Sequence, residues 1–251
     1  MDHVRWLLAG WNRLSVIAIG SVVVGYAAVA WHWRQYIHPE LGMDWLLAFI
    51  WGFMTLLLAW RLDLRRDLRL VLVGLAGGAV IEWWGTTTNL WHYFTSERPP
   101  VWILPAWPVA ALTIHRMPVL LGRFFPGLWR LGRLYWVLLP AFVVYMSHFA
   151  WPSVGILSTK VVFALMVGVT LVAADPNVDT AIFLAGASLG IFLEYWGTSR
   201  YVWNYYTKEI PPLAAVLAHG FASVAFARAE RTVSRLIPAS WRGAPAPRGS
   251  E

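Results

Sequence analysis

The stretch from Glu82 to Val101, EWWGTTTNLWHYFTSERPPV, occurs a second time as EYWGTSRYVWNYYTKEIPPL, from Glu194 to Leu213. At a constant offset of 112 residues, ten of the twenty positions are identical. The alignment continues upstream without a gap, and the matched pairs there are Asp63 and Asp175, Asp67 and Asp179, Gly74 and Gly186, and Gly78 and Gly190. Such self-similarity at a fixed spacing indicates that the chain contains two copies of one unit.

The composition is that of a membrane protein. The chain has 251 residues, of which 59% are hydrophobic and 13% charged, against about 25% charged in an average soluble domain. Long apolar runs with this composition predict an all-α, polytopic membrane protein. The basic residues lie in short loops, so the net charge of +7 indicates topology and not a nucleic-acid partner. The chain has no cysteine, which excludes disulfides, thiolate catalysis and cysteine metal sites.

Eight apolar segments are candidate membrane spans, four in each copy. They cover about 14–33, 43–60, 70–91, 101–120, 134–150, 154–173, 179–203 and 212–228. Because an even number of crossings separates the copies, we expect two parallel four-helix repeats with the same orientation. The first repeat is predicted at 1–120, the second at 121–235, and a disordered cytoplasmic tail at 236–251.

The basic residues are unevenly distributed between the two sides of this topology. With the N-terminus in the cytoplasm, 15 of the 20 lysine and arginine residues lie on the cytoplasmic side. The count includes Arg116, and Arg228 as one of five arginines of the C-terminal tail. The bias predicts a multi-pass protein of the cell inner (plasma) membrane with both termini in the cytoplasm.

Capping and breaking residues predict where the central helices begin and end. Asp63 and Asp175 lie at cytoplasmic turns, where we expect them to cap the helices that follow. The pairs Pro99–Pro100 and Pro211–Pro212 most simply start the next helix in each copy.

Glu82 and Glu194 are the first candidate catalytic residues. If its span begins near Leu70, Glu82 lies roughly 18 Å into the bilayer at a rise of about 1.5 Å per residue. A charged carboxylate at that depth costs about 3 kcal/mol or more unless it is paired, hydrated or protonated. Because equivalent positions of both copies carry this cost, we interpret the pair as a functional site. The alternative is a structural hydrogen-bonding role.

Each glutamate continues a stripe of small residues. In the first copy the stripe is Gly74, Gly78, Glu82 and Thr86, and residues spaced by four share one helix face. Small residues allow helix backbones to approach closely in lipid. The stripe predicts tight packing below the carboxyl group, which either serves packing alone or also positions that group beside a cavity.

Aromatic and polar residues follow each glutamate. Continuing the helix would place Asn89, Tyr201 and the motif tyrosines on the glutamate face and the motif tryptophans on another face. The upper aromatics suit either a membrane-interface belt or a ligand pocket. The candidate substrate-binding residues are Trp84, Thr86, Asn89, Trp91, Tyr93, Trp107, Trp196, Thr198, Tyr201, Trp203 and Tyr205.

The copies diverge at His219, which stands where the first copy has Trp107. An ionisable residue in mid-span is a site candidate by default, so His219 is the third candidate catalytic residue. The alternative is a histidine whose hydrogen bonds are satisfied within the helix packing. No metal-binding or cofactor-binding motif is present, and we predict neither a metal nor a cofactor.

This arrangement resembles a known family at specific residues. Each copy has Glu, Gly three residues later, an aromatic-x-Tyr step, and in the first copy a following span that contains Pro105-Ala106-Trp107-Pro108. The pattern resembles integral-membrane carotenoid-biosynthesis proteins such as the carotenoid hydratases, and more distantly the two-repeat membrane lycopene cyclases. The resemblance covers about 35 residues per copy and implies a polyisoprenoid substrate. The residues that it marks are Glu82, Gly85, Trp91, Tyr93, Glu194, Gly197, Trp203 and Tyr205. The paired acidic residues of the cyclases are absent, so hydration is better supported than ring closure.

Three functions fit these features. A buried acid among aromatic faces suits an enzyme that protonates an alkene and then adds water or closes a ring, of the hydratase (lyase) or cyclase (isomerase) type. The same pocket suits a non-catalytic membrane subunit that binds pigment, lipid or partner proteins. A small-solute transporter is the third alternative. The expected partners are a hydrophobic isoprenoid-like ligand, the membrane, and further copies or subunits in an oligomer or membrane complex.

Overall fold

The computed structural model describes residues 3–36 and 44–238, and the structure is 78% helical. The predicted tail from 239 onward and residue 43 of the second predicted span lie outside the described residues. The helices are α1 (His3–Leu8), α2 (Arg13–His32), α3 (Trp45–Ala59), α4 (Leu64–Thr87), α5 (Ala106–Phe124), α6 (Tyr135–Phe149), α7 (Leu157–Leu171), α8 (Pro176–Ser199) and α9 (Leu213–Leu236). Two short strands, β1 (Trp91–Tyr93) and β2 (Trp203–Tyr205), follow α4 and α8.

The predicted all-α membrane class agrees with these helices. Six helical segments of the described residues are long and apolar enough to cross a membrane: Arg13–His32, Leu64–Thr87, Val101–Phe124, Pro126–Phe149, Pro176–Ser199 and Leu213–Leu236. Helices α3 and α7 are apolar but shorter. Large apolar side chains such as Val16, Leu72 and Val144 are exposed on the outer surface, as expected for contact with lipid.

The two central helices, α4 and α8, begin as predicted. Asp63 is the N-cap of α4 and accepts hydrogen bonds from the backbone N–H groups of Arg65 and Arg66. Asp175 is the N-cap of α8 and accepts one from Val178. These contacts confirm the predicted capping role, because each carboxyl group satisfies N–H groups that have no partner within the helix.

Both central helices end four residues before the predicted boundaries. At the end of α4, the N–H of Leu90 donates to the carbonyl of Gly85. Asn89, which directly precedes Leu90, has a φ of 58°. This is the Schellman geometry of a helix C-terminus. In the second copy Val202 donates to Gly197 around Tyr201, which also has a φ of 58°.

The chain then turns back and forms a ribbon that joins the two copies. Strands β1 and β2 pair antiparallel, with Trp91 opposite Tyr205, His92 opposite Asn204, and Tyr93 opposite Trp203. The prediction that each motif tyrosine continues its helix face was therefore wrong. The aromatic side chains reach the glutamates by folding back over the helix and not by continuing it.

The glycine stripes pack against neighbouring helices, as predicted. A Cβ atom added to Gly190 would lie 2.8 Å from the carbonyl oxygen of Val216 on α9. One added to Gly78 would lie 2.2 Å from the ring of Trp107 on α5. Contacts this short leave no room for a side chain. The stripes therefore hold Trp107 and His219 close to the helices that carry the glutamates.

Two buried ion pairs that the sequence did not predict lie near the beginnings of α4 and α8. The Nη2 of Arg116 on α5 lies 2.6 Å from the Oδ2 of Asp67, and the Nη2 of Arg228 on α9 lies 3.0 Å from the Oδ2 of Asp179. Arg231 also pairs with Asp179. Arg116 and Arg228 are thus buried ion-pair partners, which their predicted placement on the cytoplasmic side did not reveal. The offset of 112 residues relates the two pairs.

Candidate functional site

The carboxyl group of Glu82 accepts hydrogen bonds from three side chains. Its Oε2 atom accepts from the indole N–H of Trp91 at 3.1 Å and from the hydroxyl of Tyr93 at 2.8 Å. Its Oε1 atom accepts from the indole N–H of Trp107 at 3.0 Å. The glutamate is 4% exposed. Because an indole N–H can only donate, this set of partners is suited to a carboxylate.

Glu194 has an equivalent environment with one different partner. Its Oε2 atom accepts from Trp203 at 2.9 Å and from the hydroxyl of Tyr205 at 3.0 Å. Its Oε1 atom lies 2.9 Å from the Nε2 of His219, in the place where Glu82 has Trp107. The histidine donates or accepts in this contact according to its tautomer, and forms an ion pair when protonated.

A glycine in each motif makes this arrangement sterically feasible. A Cβ atom added to Gly85 would lie 1.9 Å from the ring of Trp91, and one added to Gly197 would lie 2.0 Å from the ring of Trp203. Each indole therefore rests directly on the helix backbone, one turn beyond its glutamate. This close approach brings the indole N–H within hydrogen-bonding distance of the carboxyl group.

Aromatic contacts join the two glutamate environments into one site. The ring of Trp91 lies 5.8 Å from that of Tyr205, a partner of the other glutamate. Tyr93 and Trp203 lie 5.9 Å apart in the same way. These contacts follow from the pairing of β1 with β2. The ring of Trp107 also stacks on that of His219 at 5.9 Å.

A cavity of about 690 Å³ lies beside the two carboxyl groups. Both Glu82 and Glu194 line it, together with His219, so the two copies contribute to a single central site. The volume lies within the range of roughly 300–1,000 Å³ found for small-molecule pockets. The rest of the lining is predominantly apolar and aromatic and comes from helices α2 to α9, from both strands, and from Trp102 and Ile103 before α5.

Seven of the predicted substrate-binding residues line this cavity: Trp84, Trp91, Tyr93, Trp107, Trp196, Trp203 and Tyr205. The four others do not. The hydroxyl groups of Thr86 and Thr198 donate at 2.6 Å to the carbonyl oxygens of Glu82 and Glu194 within their own helices. Asn89 and Tyr201 are exposed at the helix ends, because the Schellman turn directs them away from the site.

Trp84 and Trp196 are each anchored to the other copy. The indole N–H of Trp84 donates to the hydroxyl of Thr159 at 2.9 Å, and Thr159 donates to Ser153 at 3.0 Å. The indole N–H of Trp196 donates at 2.9 Å to Asp44, the N-cap of α3. Both tryptophans therefore connect the central helices to the shorter apolar helices.

Asp44 also forms an ion pair with Arg200 at 2.9 Å. Partial burial tends to raise the pKa of Asp44, but hydrogen bonds from Arg200, the Leu47 N–H and Trp196 outweigh it, so the pKa lies below its ordinary value. This anchor is charged, whereas the equivalent anchor of Trp84 is neutral.

Several lining residues were not predicted from the sequence. They are apolar or aromatic, and include Tyr26, Trp51, Trp102, Phe142, Met146, Phe149, Phe163 and Met166. Helices α2, α3, α6 and α7 are apolar on most faces, so hydrophobic periodicity does not show which face turns inward. No sequence signal separates these residues from those that face lipid.

In the part of the chain that the structure describes, no group of three or more histidine and acidic side chains is placed to hold a metal ion. Comparison of the chain with protein-family models, with curated proteins and with solved structures gave no significant match. The chemistry of the site must therefore be argued from its own residues. Two buried carboxyl groups and a histidine beside an apolar cavity can stabilise positive charge and exchange a proton.

Proposed function

We propose that the chain is an integral membrane enzyme acting on a polyisoprenoid or carotenoid-like lipid. The reaction is proton-initiated hydration or cyclisation of a carbon–carbon double bond, and hydration is the better supported of the two. The proposed catalytic residues are Glu82, Glu194 and His219. The resemblance to carotenoid-biosynthesis proteins remains part of this proposal and supplies the substrate class.

One observation carries the proposal: both buried glutamates line the same large, predominantly apolar cavity. An apolar lining favours a hydrocarbon over a polar solute. Carboxyl groups inside such a cavity have little water around them, so their interaction with a developing positive charge is much stronger than it would be in solvent. An alkene that accepts a proton develops such a charge.

The two glutamates are proposed to have different roles. Glu194 and His219 are in contact through Oε1 and Nε2, so a proton can pass between them. Glu82 has no imidazole partner, because its third partner is the indole of Trp107, which does not exchange its proton in this way. The tyrosine contact is common to both glutamates and does not distinguish them. We therefore assign proton transfer to Glu194 with His219, and stabilisation of the cation to Glu82.

The proposed hydration conserves atoms and charge. The acid transfers its proton to one alkene carbon, and the electron pair of the double bond forms the new C–H bond. The other alkene carbon becomes a tertiary cation, which faces Glu82 and the aromatic rings. A water molecule adds its oxygen to this carbon and returns one proton to the base. In cyclisation a second double bond of the substrate attacks the cation, and loss of a proton ends the reaction.

A non-catalytic membrane subunit that binds a lipid or pigment is the second candidate. The observation that favours it is that every carboxyl oxygen of the two glutamates already has a partner within the protein. Such a network would also be expected of a structural hydrogen-bonding role. The third alternative, a small-solute transporter, requires a polar path, and the predominantly apolar lining does not favour it.

We further propose that α3 and α7 cross the membrane together with the six longer helices. This would give eight spans in two parallel four-helix repeats. The protein would lie in the inner (plasma) membrane of the cell, with both termini in the cytoplasm. Supporting features are the equivalent hydrogen bonds of the two glutamates and the equivalent ion pairs of Asp67 and Asp179.

The proposal can be tested by expressing the chain in a host that makes linear polyisoprenoids. Lipid extracts of the wild type, Glu82→Gln and Glu194→Gln are compared by mass spectrometry. Hydration adds the mass of one water, whereas cyclisation changes retention without changing mass. Loss of an acid or of cation stabilisation is expected to lower product formation by about 100-fold or more.

Glu97→Gln is the matched control, because Glu97 belongs to the same repeated motif but is exposed. Its product level should equal that of the wild type. An extract of well-folded wild-type protein that matches the empty host would refute the enzyme proposal. A lipid or pigment that co-purifies unchanged under those conditions would instead favour the binding subunit.

A further inference from the structure

The charged groups that line the cavity are not balanced. Among the described residues, the ionisable groups in its lining other than tyrosine are Glu82, Glu194 and His219, and the lining includes no lysine or arginine. His219 contacts only one of the two carboxyl groups, that of Glu194. A protonated His219 therefore neutralises Glu194 and leaves the other carboxylate without a positive partner.

The hydrogen-bond partners of Glu82 suit its ionised form but do not neutralise it. They are the indole N–H groups of Trp91 and Trp107 and the hydroxyl of Tyr93, none of which carries positive charge. When Glu82 is ionised, these dipoles stabilise the anion and hold it in place, but no positive charge balances it. A net charge in a low-dielectric cavity favours a ligand of opposite charge.

The surroundings of Glu82 also select the kind of cation. Aromatic rings in the lining, including those of Trp84, Trp102 and Trp107, provide faces that attract an organic cation. A small inorganic ion would have to lose its hydration shell, and the lining offers it few oxygen ligands. The volume of about 690 Å³ is suited to a bulky organic molecule.

We propose that this cavity binds hydrophobic, monovalent organic cations, with Glu82 as the counter-charge. The ligand class consists of stable ammonium or phosphonium ions with apolar substituents. Glu194 contributes less to this binding because His219 already pairs with it. The binding does not depend on the proposed reaction: a cation site can exist without turnover, and an alkene-protonating enzyme can reject a stable cation.

The test uses two ions of nearly equal shape and opposite charge, tetraphenylphosphonium and tetraphenylborate. Binding to purified full-length protein in a non-ionic detergent is measured by isothermal titration calorimetry. We expect saturable binding of the phosphonium at one site per chain and no saturable binding of the borate. Glu82→Gln should weaken phosphonium binding by more than about tenfold, and Glu194→Gln by less than about threefold.

Glu97→Gln again serves as the control and should bind as the wild type does. Folding of each variant is checked by its elution on size-exclusion chromatography. Should Glu82→Gln fail to fold, the comparison of the two ions on the wild type still decides the matter. Equal binding of both ions, absence of phosphonium binding, or unchanged binding in folded Glu82→Gln would overturn the proposal. These outcomes are separate from the lipid-extract result, which tests the reaction alone.

Discussion

The environments of Glu82 and Glu194 are alike in geometry and different in chemistry. In each, a tryptophan and a tyrosine from the following strand donate to Oε2, at distances between 2.8 and 3.1 Å. The third partner is Trp107 in the first copy and His219 in the second, at 3.0 and 2.9 Å. The two motifs thus place their carboxyl groups equivalently, and one residue difference gives only Glu194 an imidazole partner.

The supporting contacts show the same divergence. Among the described residues, Asp67 has one arginine partner, Arg116, whereas Asp179 has two, Arg228 and Arg231. The stability of the first copy should therefore depend more strongly on a single ion pair, that of Asp67, than the stability of the second copy depends on either ion pair of Asp179. Four substitution experiments test whether the copies differ as these contacts indicate.

The largest effect is expected from removing the arginine partner of each aspartate. Arg116→Met leaves the buried Asp67 without its ion-pair partner and should destabilise the protein by about 3–5 kcal/mol. Arg228→Met leaves Asp179 paired with Arg231 and should cost less, about 1–3 kcal/mol. Thermal unfolding in detergent, followed by size-exclusion chromatography, measures both. Arg130→Met, at an exposed arginine, is the control. Equal losses of stability in Arg116→Met and Arg228→Met would contradict the expected difference between the two sites.

The next effect concerns proton transfer. His219→Phe should lower product formation by about 100-fold or more, because it removes the group that exchanges a proton with Glu194. Trp107→Phe removes only a hydrogen-bond donor and should cost about tenfold. Product formation by each variant is measured by mass spectrometry of lipid extracts, with Glu97→Gln as the control. Equal losses in His219→Phe and Trp107→Phe would make His219 a structural residue.

A steric effect should be the same in both copies. Gly85→Ala and Gly197→Ala each place a methyl group against an indole ring and should destabilise the fold by about 1–3 kcal/mol. Gly25→Ala is the control, because a Cβ atom there has no neighbour within 4 Å. Thermal unfolding checks all three variants. A large difference between the two motif glycines would show that the indoles are not held equivalently.

The smallest effect is an acid sensitivity of the anchor that joins Asp44 to Trp196 and Arg200. Since the pKa of Asp44 is lower in the folded protein than in the unfolded chain, its contribution to stability is present above the unfolded value. It is lost as the pH falls below about 4. Melting temperatures measured from about pH 7 to about pH 3.5 should fall less in Asp44→Asn than in the wild type. The Trp84 anchor uses Thr159 and should not titrate in this range, so Thr159→Val should leave the pH dependence unchanged.

Much of the fold and part of the site could be predicted from the sequence. Apolar run length predicted membrane helices, and the fixed offset of 112 residues singled out the two glutamates and their tryptophans and tyrosines. Asp63 and Asp175 were recognised as caps from local chemistry alone. The end of α4 was predicted four residues too late. Asn89 marks the true end, because asparagine tolerates the left-handed backbone that follows a helix. The burial of Arg116 and Arg228 was not predicted, because both buried structural arginines and topological arginines occur near the ends of spans.

By itself the sequence determined the membrane class, the positions of the helical segments and the duplicated motif, because these depend on composition, apolar run length and an internal comparison of residues. Tertiary structure alone decided that Tyr93 and Tyr205 turn back onto their glutamates and that both glutamates line one cavity. It also decided which faces of α2, α3, α6 and α7 line that cavity. These features arise from strand pairing and helix packing between distant segments, and helices that are apolar on most faces carry no local signal for the direction in which they pack.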